Sequence, residues 1–322
     1  MPDGPKSDGN GAEEVLDRVR RVCGNLDILA AFRSVRQIIG PQVFPKGEEL
    51  AADAMAALRE GKVPTPIQRA ALEAAIKALR PSVLTQKGNL PDLPTYRNYP
   101  PEFVTNWNAF RSTFRSYVYS VGRIDRVDSQ SDGAMATGFV VGPGLLATNK
   151  HVLESLSAGT LKLERGQAVV RFGEEWKTVP DGGETVSVTG VCAIHPRLDV
   201  VILAIENRNI TPLQIDSAVP KVGAQVAAVG YPQDDPRSPV FRDLIFQGKY
   251  KLKRVAPGEI TGSDSEAVFH DCSTLGGNSG SPLMAMDSGR VVGLHRDGPL
   301  FLYRNEAVDC VSLEAFVAPF VS

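Results

Sequence analysis

The spacing of apolar residues along the chain changes near residue 80. Between residues 12 and 80, apolar side chains recur every three or four positions, which is the period of an amphipathic helix. Short helices with one apolar face bury it against each other, so the pattern predicts a small α-helical bundle over residues 12–80, after a disordered lead at residues 1–11. The helices that fit are at residues 13–23, 26–39, 47–61 and 65–80.

The last of these helices has the clearest ends. Thr65 is suited to cap the first turn, Pro66 occupies the first helical position, and Gln68 completes a capping box. Pro81 follows, and a proline cannot continue a helix because it lacks a backbone N–H. These signals place the end of the helical part close to residue 80.

The composition then shifts towards proline. Residues 80–103 contain five prolines and few aliphatic residues in succession, a composition typical of an inter-domain linker. A helix with several aromatic residues is predicted at residues 102–118, and we expect those rings to dock it against the next part of the chain. We therefore interpret residues 81–114 as a Pro-rich linker with a docking helix.

From residue 115 onward the pattern is that of a β protein. Short runs rich in β-branched and aromatic residues alternate with Gly, Pro, Asp and Asn, which predicts an all-β sandwich or a pair of barrels over residues 115–322. A terminal helix is predicted at residues 312–322. The predicted strand runs are 117–127, 136–142, 144–152, 168–173, 184–194, 199–205, 224–232, 245–255, 281–286 and 290–295.

Composition and charge argue against several classes of protein. The 322 residues are 43% hydrophobic and 22% charged, which is typical of a globular protein. The formal net charge is −2 and no run of basic residues occurs, so we expect no nucleic-acid partner. No apolar stretch is long enough to span a membrane, and the polar, glycine-rich start has no apolar core of a secretory signal. We therefore expect a cytoplasmic protein.

The four cysteines fit that expectation. Cys23, Cys192, Cys272 and Cys310 are far apart and form no C-x-x-C pair, so neither a disulfide framework nor a zinc site is predicted. We expect reduced thiols that are mostly buried. With four histidines and no H-E-x-x-H motif, the chain also lacks the pattern of a metallohydrolase, and we predict no metal or organic cofactor.

Three segments carry candidate chemistry. His151 follows an apolar run at the point where a strand gives way to a turn, Asp199 begins another apolar run, and Ser279 lies in the turn "GGNSGSPL". A serine hydroxyl needs a neighbouring base, an imidazole has a suitable pKa, and a carboxylate can hold that imidazole in the required tautomer. We predict His151 as general base, Asp199 as its orienting group and Ser279 as nucleophile.

The glycines around Ser279 have a chemical purpose of their own. A backbone that points two N–H groups at one developing oxyanion needs conformations that residues with side chains resist. The predicted donors are the amides of Gly277 and Ser279. An α/β-hydrolase is disfavoured, because its triad runs in the order Ser, Asp, His.

These segments resemble the trypsin-like, chymotrypsin-fold serine proteases, and among them the bacterial glutamyl-endopeptidase-like branch. The resemblance rests on "TGFVVGPGLLATNKHV", "LDVVILAI", "GGNSGSPL" and "GRVVGLH", and it covers residues 115–322. It implies a chymotrypsin-like double β-barrel and a serine endopeptidase that acts on peptide substrates through an acyl-enzyme. In many such enzymes the oxyanion hole forms only when a new N-terminus or a partner orders the pocket.

The resemblance also implies a specificity pocket. Thr274 and His295 match the pair that receives a substrate carboxylate in glutamyl endopeptidases, and both can donate hydrogen bonds to an acidic P1 side chain. Ser273 stands where a trypsin-type pocket has an acid. Two alternatives stay open: Asp297 in the pocket would favour a basic P1 residue, and His295 could be a structural histidine of the barrel core.

The helical part has its own resemblance. A small helical bundle ahead of a trypsin-like protease resembles the effector-associated or death-fold-like adaptor domains of bacterial conflict systems, and this implies a homotypic partner and an antiviral role. A folded pro-domain or a module without a partner is the alternative. For the whole chain, the competing class is a catalytically silent, protease-shaped binding module.

Overall fold

A computed structural model describes residues 46–69, 71–72, 80–94, 99–127, 134–177, 184–235, 245–297 and 305–321, with the isolated positions 19, 22, 29 and 33. Apart from those isolated positions, the predicted lead at 1–11 and the predicted helices at 13–23 and 26–39 lie outside the described residues. The boundaries of a separate helical domain over 12–80 stay a prediction.

The described part of the helical region follows the sequence pattern. Helix α1 spans Gly47–Arg59 and buries small and aliphatic side chains on one face. Residues 66–69 and 71–72 are also helical. The predicted capping box is present, because the Thr65 N–H donates to Gln68 Oε1 at 2.9 Å and the Gln68 N–H donates to Thr65 Oγ1 at 3.4 Å.

A short strand and a helix precede the barrels. They are β1 (Val83–Leu84) and α2 (Pro101–Phe114). A 3₁₀ turn at Val118–Ser120 then leads into six strands that close an antiparallel barrel in the order β2-β3-β4-β7-β6-β5. Its elements are β2 (Val121–Arg126), β3 (Ala134–Gly142), β4 (Leu145–Thr148), helix α3 (Lys150–Leu156), β5 (Ala168–Arg171), β6 (Thr185–Ile194) and β7 (Val201–Ile205).

The remaining strands form a second barrel. They are β8 (Gln225–Gly230), β9 (Arg254–Ser263), β10 (Ala267–His270), β11 (Pro282–Ala285), β12 (Val291–Asp297) and β13 (Asn305–Asp309), followed by helix α4 (Cys310–Val321). The sheet order is β1-β9-β10-β13-β12-β11-β8, and pairing of β8 with β9 closes a ring of six strands. The two barrels confirm the predicted double β-barrel, and α4 confirms the predicted terminal helix.

The strand predictions failed mainly around β9. The predicted run at 245–255 is irregular up to Lys253, while β9, β10 and β13 were not predicted. Pro257 and Gly258 interrupt the apolar alternation of β9, and both residue types normally argue against a strand interior. In the structure Pro257 pairs with Ala227, and burial against the neighbouring strands outweighs the local preference.

Residues 81–94 are not a free linker. β1 pairs with the start of β9, and the Thr85 N–H donates to the Lys253 carbonyl at 3.1 Å. Further along, the Gly88 N–H donates to Glu175 Oε2 at 2.6 Å, and Arg111 Nε of α2 donates to the Leu90 carbonyl at 2.7 Å. The proline-rich composition therefore reflects a segment that is bonded in turn to β9 and Lys253, to Glu175 and to α2.

Helix α2 docks as its aromatic residues predicted. Phe103, Trp107, Phe110 and Phe114 are buried on one face. They belong to the same core as side chains of both barrels, among them Phe139, Ile202, Val229, Met284 and Val308. This shared core joins α2 and the two barrels, so the folded unit includes residues that the sequence placed ahead of it.

A buried lysine also ties the barrels together. Lys253, next to β9, donates from Nζ to the Phe172 carbonyl at 2.7 Å and to the Val118 carbonyl. Its burial lowers the pKa of the ammonium group to about 7, and the charge of Glu175 opposes that shift. Tyr231 also connects the two barrels: it follows β8 of the second barrel, and its hydroxyl donates to the Val121 carbonyl of β2 at 3.3 Å.

Two findings bear on the expectations about membrane and redox chemistry. No helix within the described residues combines the length and the apolar character that a membrane span requires. The three described cysteines are free; Cys272 and Cys310 are buried and Cys192 is exposed, which fits the prediction of mostly buried thiols. Cys23 lies outside the described residues.

The role of α2 in the core can be tested by truncating one of its rings. We expect Trp107→Ala to lower the free energy of unfolding by about 3–5 kcal/mol, because it leaves a large cavity in a well-packed core. The control is Val104→Ala on the same helix, where the side chain is exposed and the loss should stay below about 0.5 kcal/mol. Chemical denaturation measures both, and equal small losses would show that α2 is not part of the folded unit.

Candidate active site

His151 and Asp199 are brought together by two elements of the first barrel. His151 lies in the first turn of α3, not in the turn that the sequence predicted, and Asp199 comes two residues before β7. The His151 N–H donates to Asp199 Oδ1 at 3.0 Å, and His151 Nδ1 lies 2.7 Å from Asp199 Oδ2. Asn149, at the N-cap of α3, donates from Nδ2 to the Asp199 carbonyl at 2.9 Å.

The carboxylate fixes the imidazole tautomer. Burial alone would raise the pKa of Asp199, but the hydrogen bonds from the side chain and backbone of His151 and the attraction of its charge lower the pKa below its usual value. Asp199 is therefore ionised at neutral pH, and its Oδ2 accepts a hydrogen bond from the Nδ1–H of His151. A neutral His151 then has Nε2 as its basic nitrogen, which is the one able to take a proton.

The serine turn belongs to the second barrel but is attached to the first. Ser279 is half-buried between β10 and β11, and its carbonyl accepts a hydrogen bond from the Thr137 N–H at 2.9 Å. The Thr137 carbonyl in turn accepts from Thr148 Oγ1 at 2.7 Å, and Thr148 lies three residues before His151. These bonds hold the backbone of Ser279 beside the strands that lead to His151. Ser279 Oγ lies 3.5 Å from the Arg296 carbonyl oxygen.

Two glycines allow this close approach. Gly277 and Gly280 have φ angles of 87° and 83°, in the left-handed region that residues with side chains rarely adopt. A Cβ on Gly280 would lie 2.1 Å from the Thr137 carbonyl oxygen, and one on Gly277 would lie 2.5 Å from the Tyr231 carbonyl oxygen. Neither position has space for a side chain.

The peptide units around Gly277 are held by hydrogen bonds. The Gly276 carbonyl accepts from the Gln233 N–H at 2.7 Å, and the Gly277 carbonyl accepts from Thr137 Oγ1 at 2.8 Å. Because the C=O and N–H of a trans peptide point in opposite directions, the first bond turns the Gly277 N–H away from Gln233. This is an arrangement that can present the amide to an oxyanion. Sequence reasoning missed Thr137 and Gln233, since each is far from the serine motif and has no motif of its own.

The predicted pocket residues differ in their surroundings. His295 on β12 is buried, and its backbone is fixed to the serine turn by bonds from the Gly280 N–H to its carbonyl at 2.8 Å and from its own N–H to the Ser281 carbonyl at 2.9 Å. Thr274 is half-buried on the segment that leads to the serine turn. The Ser273 hydroxyl donates to the Arg80 carbonyl at 2.8 Å, so it is directed to the residues ahead of the barrels.

A second histidine joins His295. His270 on β10 is fully buried, and its Nε2 lies 3.1 Å from His295 Nδ1. No sequence pattern predicts this pair, because the two histidines are 25 residues apart on strands separated by β13. The neighbouring Arg296 forms an ion pair with Glu306. The side chain of Asp297, on which the basic-P1 alternative depends, lies outside the described part.

Comparison with known proteins gives a family for this region. Residues 136–294 match the trypsin-like peptidase domain family. A glutamyl endopeptidase of Staphylococcus aureus (strain MW2) is 27% identical over 180 residues, which are 54% of this chain and 50% of that protein. The chain thus spans about half the length of the curated relatives that it matches.

Solved structures were compared as well. A serine endoprotease from Yersinia pestis is 18% identical, with 70% of this chain and 68% of that chain covered and a TM-score of 0.49. A Glu endopeptidase solved in complex with MPD is 19% identical, with 63% of this chain and 90% of that chain covered and a TM-score of 0.49.

The steric requirement at Gly277 predicts an unequal effect of two similar substitutions. Gly277 and Gly166 have nearly the same φ, so alanine at either position must adopt the same unfavourable backbone conformation. The two positions differ in space, because a Cβ on Gly166 would meet no atom within 4 Å. We expect Gly166→Ala to cost about 1–2 kcal/mol of unfolding free energy, from the backbone alone. Gly277→Ala should cost clearly more, because the Tyr231 carbonyl must move. Equal losses in chemical denaturation would contradict this account of the turn.

Proposed function

We propose that this chain, whose residues 136–294 match the trypsin-like peptidase domain family, is a serine endopeptidase that hydrolyses peptide bonds through an acyl-enzyme. The observation that carries the proposal is the bonded pair of His151 and Asp199, with the Ser279 turn attached to the strands that lead into it. Each of the three groups alone is common in proteins; the support for the proposal is that a bonded His–Asp pair and a glycine-rich serine turn are both connected to strands β3 and β4.

The reaction follows from these groups. Ser279 Oγ attacks the substrate carbonyl carbon while His151 Nε2 takes its proton, and Asp199 stabilises the imidazolium that forms. The oxyanion accepts hydrogen bonds from the Gly277 and Ser279 amides, and removing one such donor typically costs about 10²–10³ in kcat. His151 then returns its proton to the leaving amine. A water molecule, activated by the same imidazole, hydrolyses the ester and releases Ser279.

The alternative is a silent, protease-shaped binding module, and an active-site probe separates the two. We expect a fluorophosphonate to label the full chain at Ser279, because only an activated serine reacts at an appreciable rate. Ser279→Ala should abolish labelling, and Asp199→Asn should slow peptide hydrolysis by about 10⁴, since it removes the tautomer control. Mass spectrometry and a peptidase assay measure these outcomes. An unlabelled but folded wild type would favour the binding module.

We also propose a preference for an acidic residue at P1. To donate to a substrate carboxylate from Nε2, neutral His295 must carry its proton there and accept at Nδ1. His270 Nε2, at 3.1 Å, is placed to donate to that Nδ1 and so to select this tautomer. The Thr274 hydroxyl is the second donor that the resemblance implies. The support is therefore a pair of buried histidines whose geometry suits an anion.

The P1 preference can be tested with peptides that differ at that position alone. His295→Ala should lower kcat/KM about 100-fold on Glu-P1 peptides, because two hydrogen bonds to a charged group are lost or weakened, and should change it little on Leu-P1 peptides. His270→Ala should show a smaller loss with the same selectivity. Equal losses on all peptides would refute the assignment, and a wild type that prefers Lys or Arg would favour the alternative based on Asp297.

We propose further that the helical residues ahead of Arg80 recruit the peptidase to a cytoplasmic partner through a homotypic contact, in an antiviral role. The support is the resemblance of the predicted helices to adaptor domains of bacterial conflict systems. Light scattering of the full chain over a range of concentrations examines the homotypic part. Association that increases with concentration would support such a contact between copies, and a monomer throughout would argue against it.

A further inference from the structure

A buried arginine ahead of the barrels contacts the segment that leads to the serine turn. Arg80 is only 4% exposed, and it donates to Asp271 Oδ2 from Nε at 3.0 Å and from Nη2 at 2.9 Å. Its Nη2 also lies 3.5 Å from Glu259 Oε2. The carbonyl of the same residue accepts the hydrogen bond from Ser273 Oγ at 2.8 Å. One residue thus holds the segment at two points.

The second barrel has space for the Asp271 carboxylate at the position where Arg80 binds it. Asp271 Oδ1 accepts from the Glu259 N–H at 2.7 Å, so both oxygens of the carboxylate are engaged. A Cβ on Gly258 would lie 2.5 Å from that same Oδ1, and only glycine leaves room for it. Between the two anchor points, the Cys272 carbonyl accepts from Asn305 Nδ2 at 2.6 Å. These features bring a carboxylate into the barrel wall at the place where Arg80 reaches it.

The segment is ordered by individual contacts and not by regular secondary structure. Residues 271–275 are not part of a strand or helix, so no regular ladder of hydrogen bonds fixes them. Fixing an irregular segment costs conformational entropy, which specific contacts must offset. Without the guanidinium, Asp271 and Glu259 would be two buried carboxylates with an unbalanced charge, and they would repel each other.

We propose that Arg80 is a positioning residue that orders residues 271–274 as a wall of the substrate pocket. The proposal rests on the proposed function, because Thr274 is assigned to the pocket there. The cation that holds this wall is supplied from within the chain. Arg80 does not touch the substrate; it acts through Asp271 and Ser273 on the position of Thr274.

The experiment compares full-length variants by hydrogen–deuterium exchange and by kinetics. In Arg80→Met we expect amides of residues 271–275 to exchange about tenfold faster, while those of β3 and β4 keep wild-type rates. KM for peptides should rise about tenfold with a smaller change in kcat, and the rate of fluorophosphonate labelling at Ser279 should stay within about twofold. Arg80→Lys, which keeps the charge but not the forked geometry, should fall between these values.

Arg111→Met is the matched control. Arg111 also bonds to the segment between Arg80 and α2, because its Nε donates to the Leu90 carbonyl. This hydrogen bond does not involve residues 271–274. The Arg111→Met variant should leave exchange at 271–275 and KM unchanged. If Arg80→Met does not fold, Arg80→Lys decides by the same two measurements.

Two results would overturn the proposal: unchanged exchange at 271–275 in a folded Arg80 variant, or faster exchange spread equally over both barrels. A wild type without peptidase activity would count against the proposed function alone, because the exchange measurement needs no substrate.

Discussion

The hydrogen bonds of Thr137 are the constraint on which the site depends. This buried residue on β3 binds the Ser279 carbonyl through its N–H and the Gly277 carbonyl through its hydroxyl, and its own carbonyl accepts from Thr148. The hydroxyl also accepts from the Tyr231 N–H at 3.1 Å. A buried polar network whose hydrogen bonds are all formed can hold the serine turn of one barrel in a fixed position relative to the strands of the other barrel. The shared apolar core stabilises the contact between the two barrels, and the hydrogen bonds of Thr137 fix their relative position.

Several buried or half-buried charges of this protein lie where geometry matters. Asp199 is held against His151, Arg80 against Asp271 and Glu259, and Lys253 against carbonyl groups between the barrels. Burying charges is costly, and an ion pair inside a protein often stabilises it less than apolar side chains of similar size would. We interpret each group by what it holds in place: Asp199 fixes the tautomer of His151, Arg80 fixes the candidate pocket wall, and Lys253 fixes the junction between the barrels. The apolar core provides the stability that offsets their cost.

The structure also changes where the folded unit begins. Composition placed a boundary between linker and β domain near residue 115, because prolines and irregular spacing precede it. Yet β1 pairs with β9, the residues after it bond to Glu175 and to Arg111, and α2 contributes four aromatic rings to the core. The peptidase-like unit therefore extends back at least to Arg80. Whatever lies ahead of it in the chain is joined directly to a residue that contacts the candidate pocket wall.

Local sequence determined a large part of this picture. The apolar alternation predicted most strands, the capping residues at Thr65 and Gln68 predicted a helix start, and the glycines near Ser279 predicted a turn that side chains cannot occupy. These features depend on short-range backbone preferences, which a sequence shows directly. Tertiary structure alone decided that His270 meets His295, that Arg80 meets Asp271 across 191 residues, and that a strand with Pro257 and Gly258 closes the second barrel. Such contacts arise from burial and from the path of the whole chain, and no local pattern encodes them.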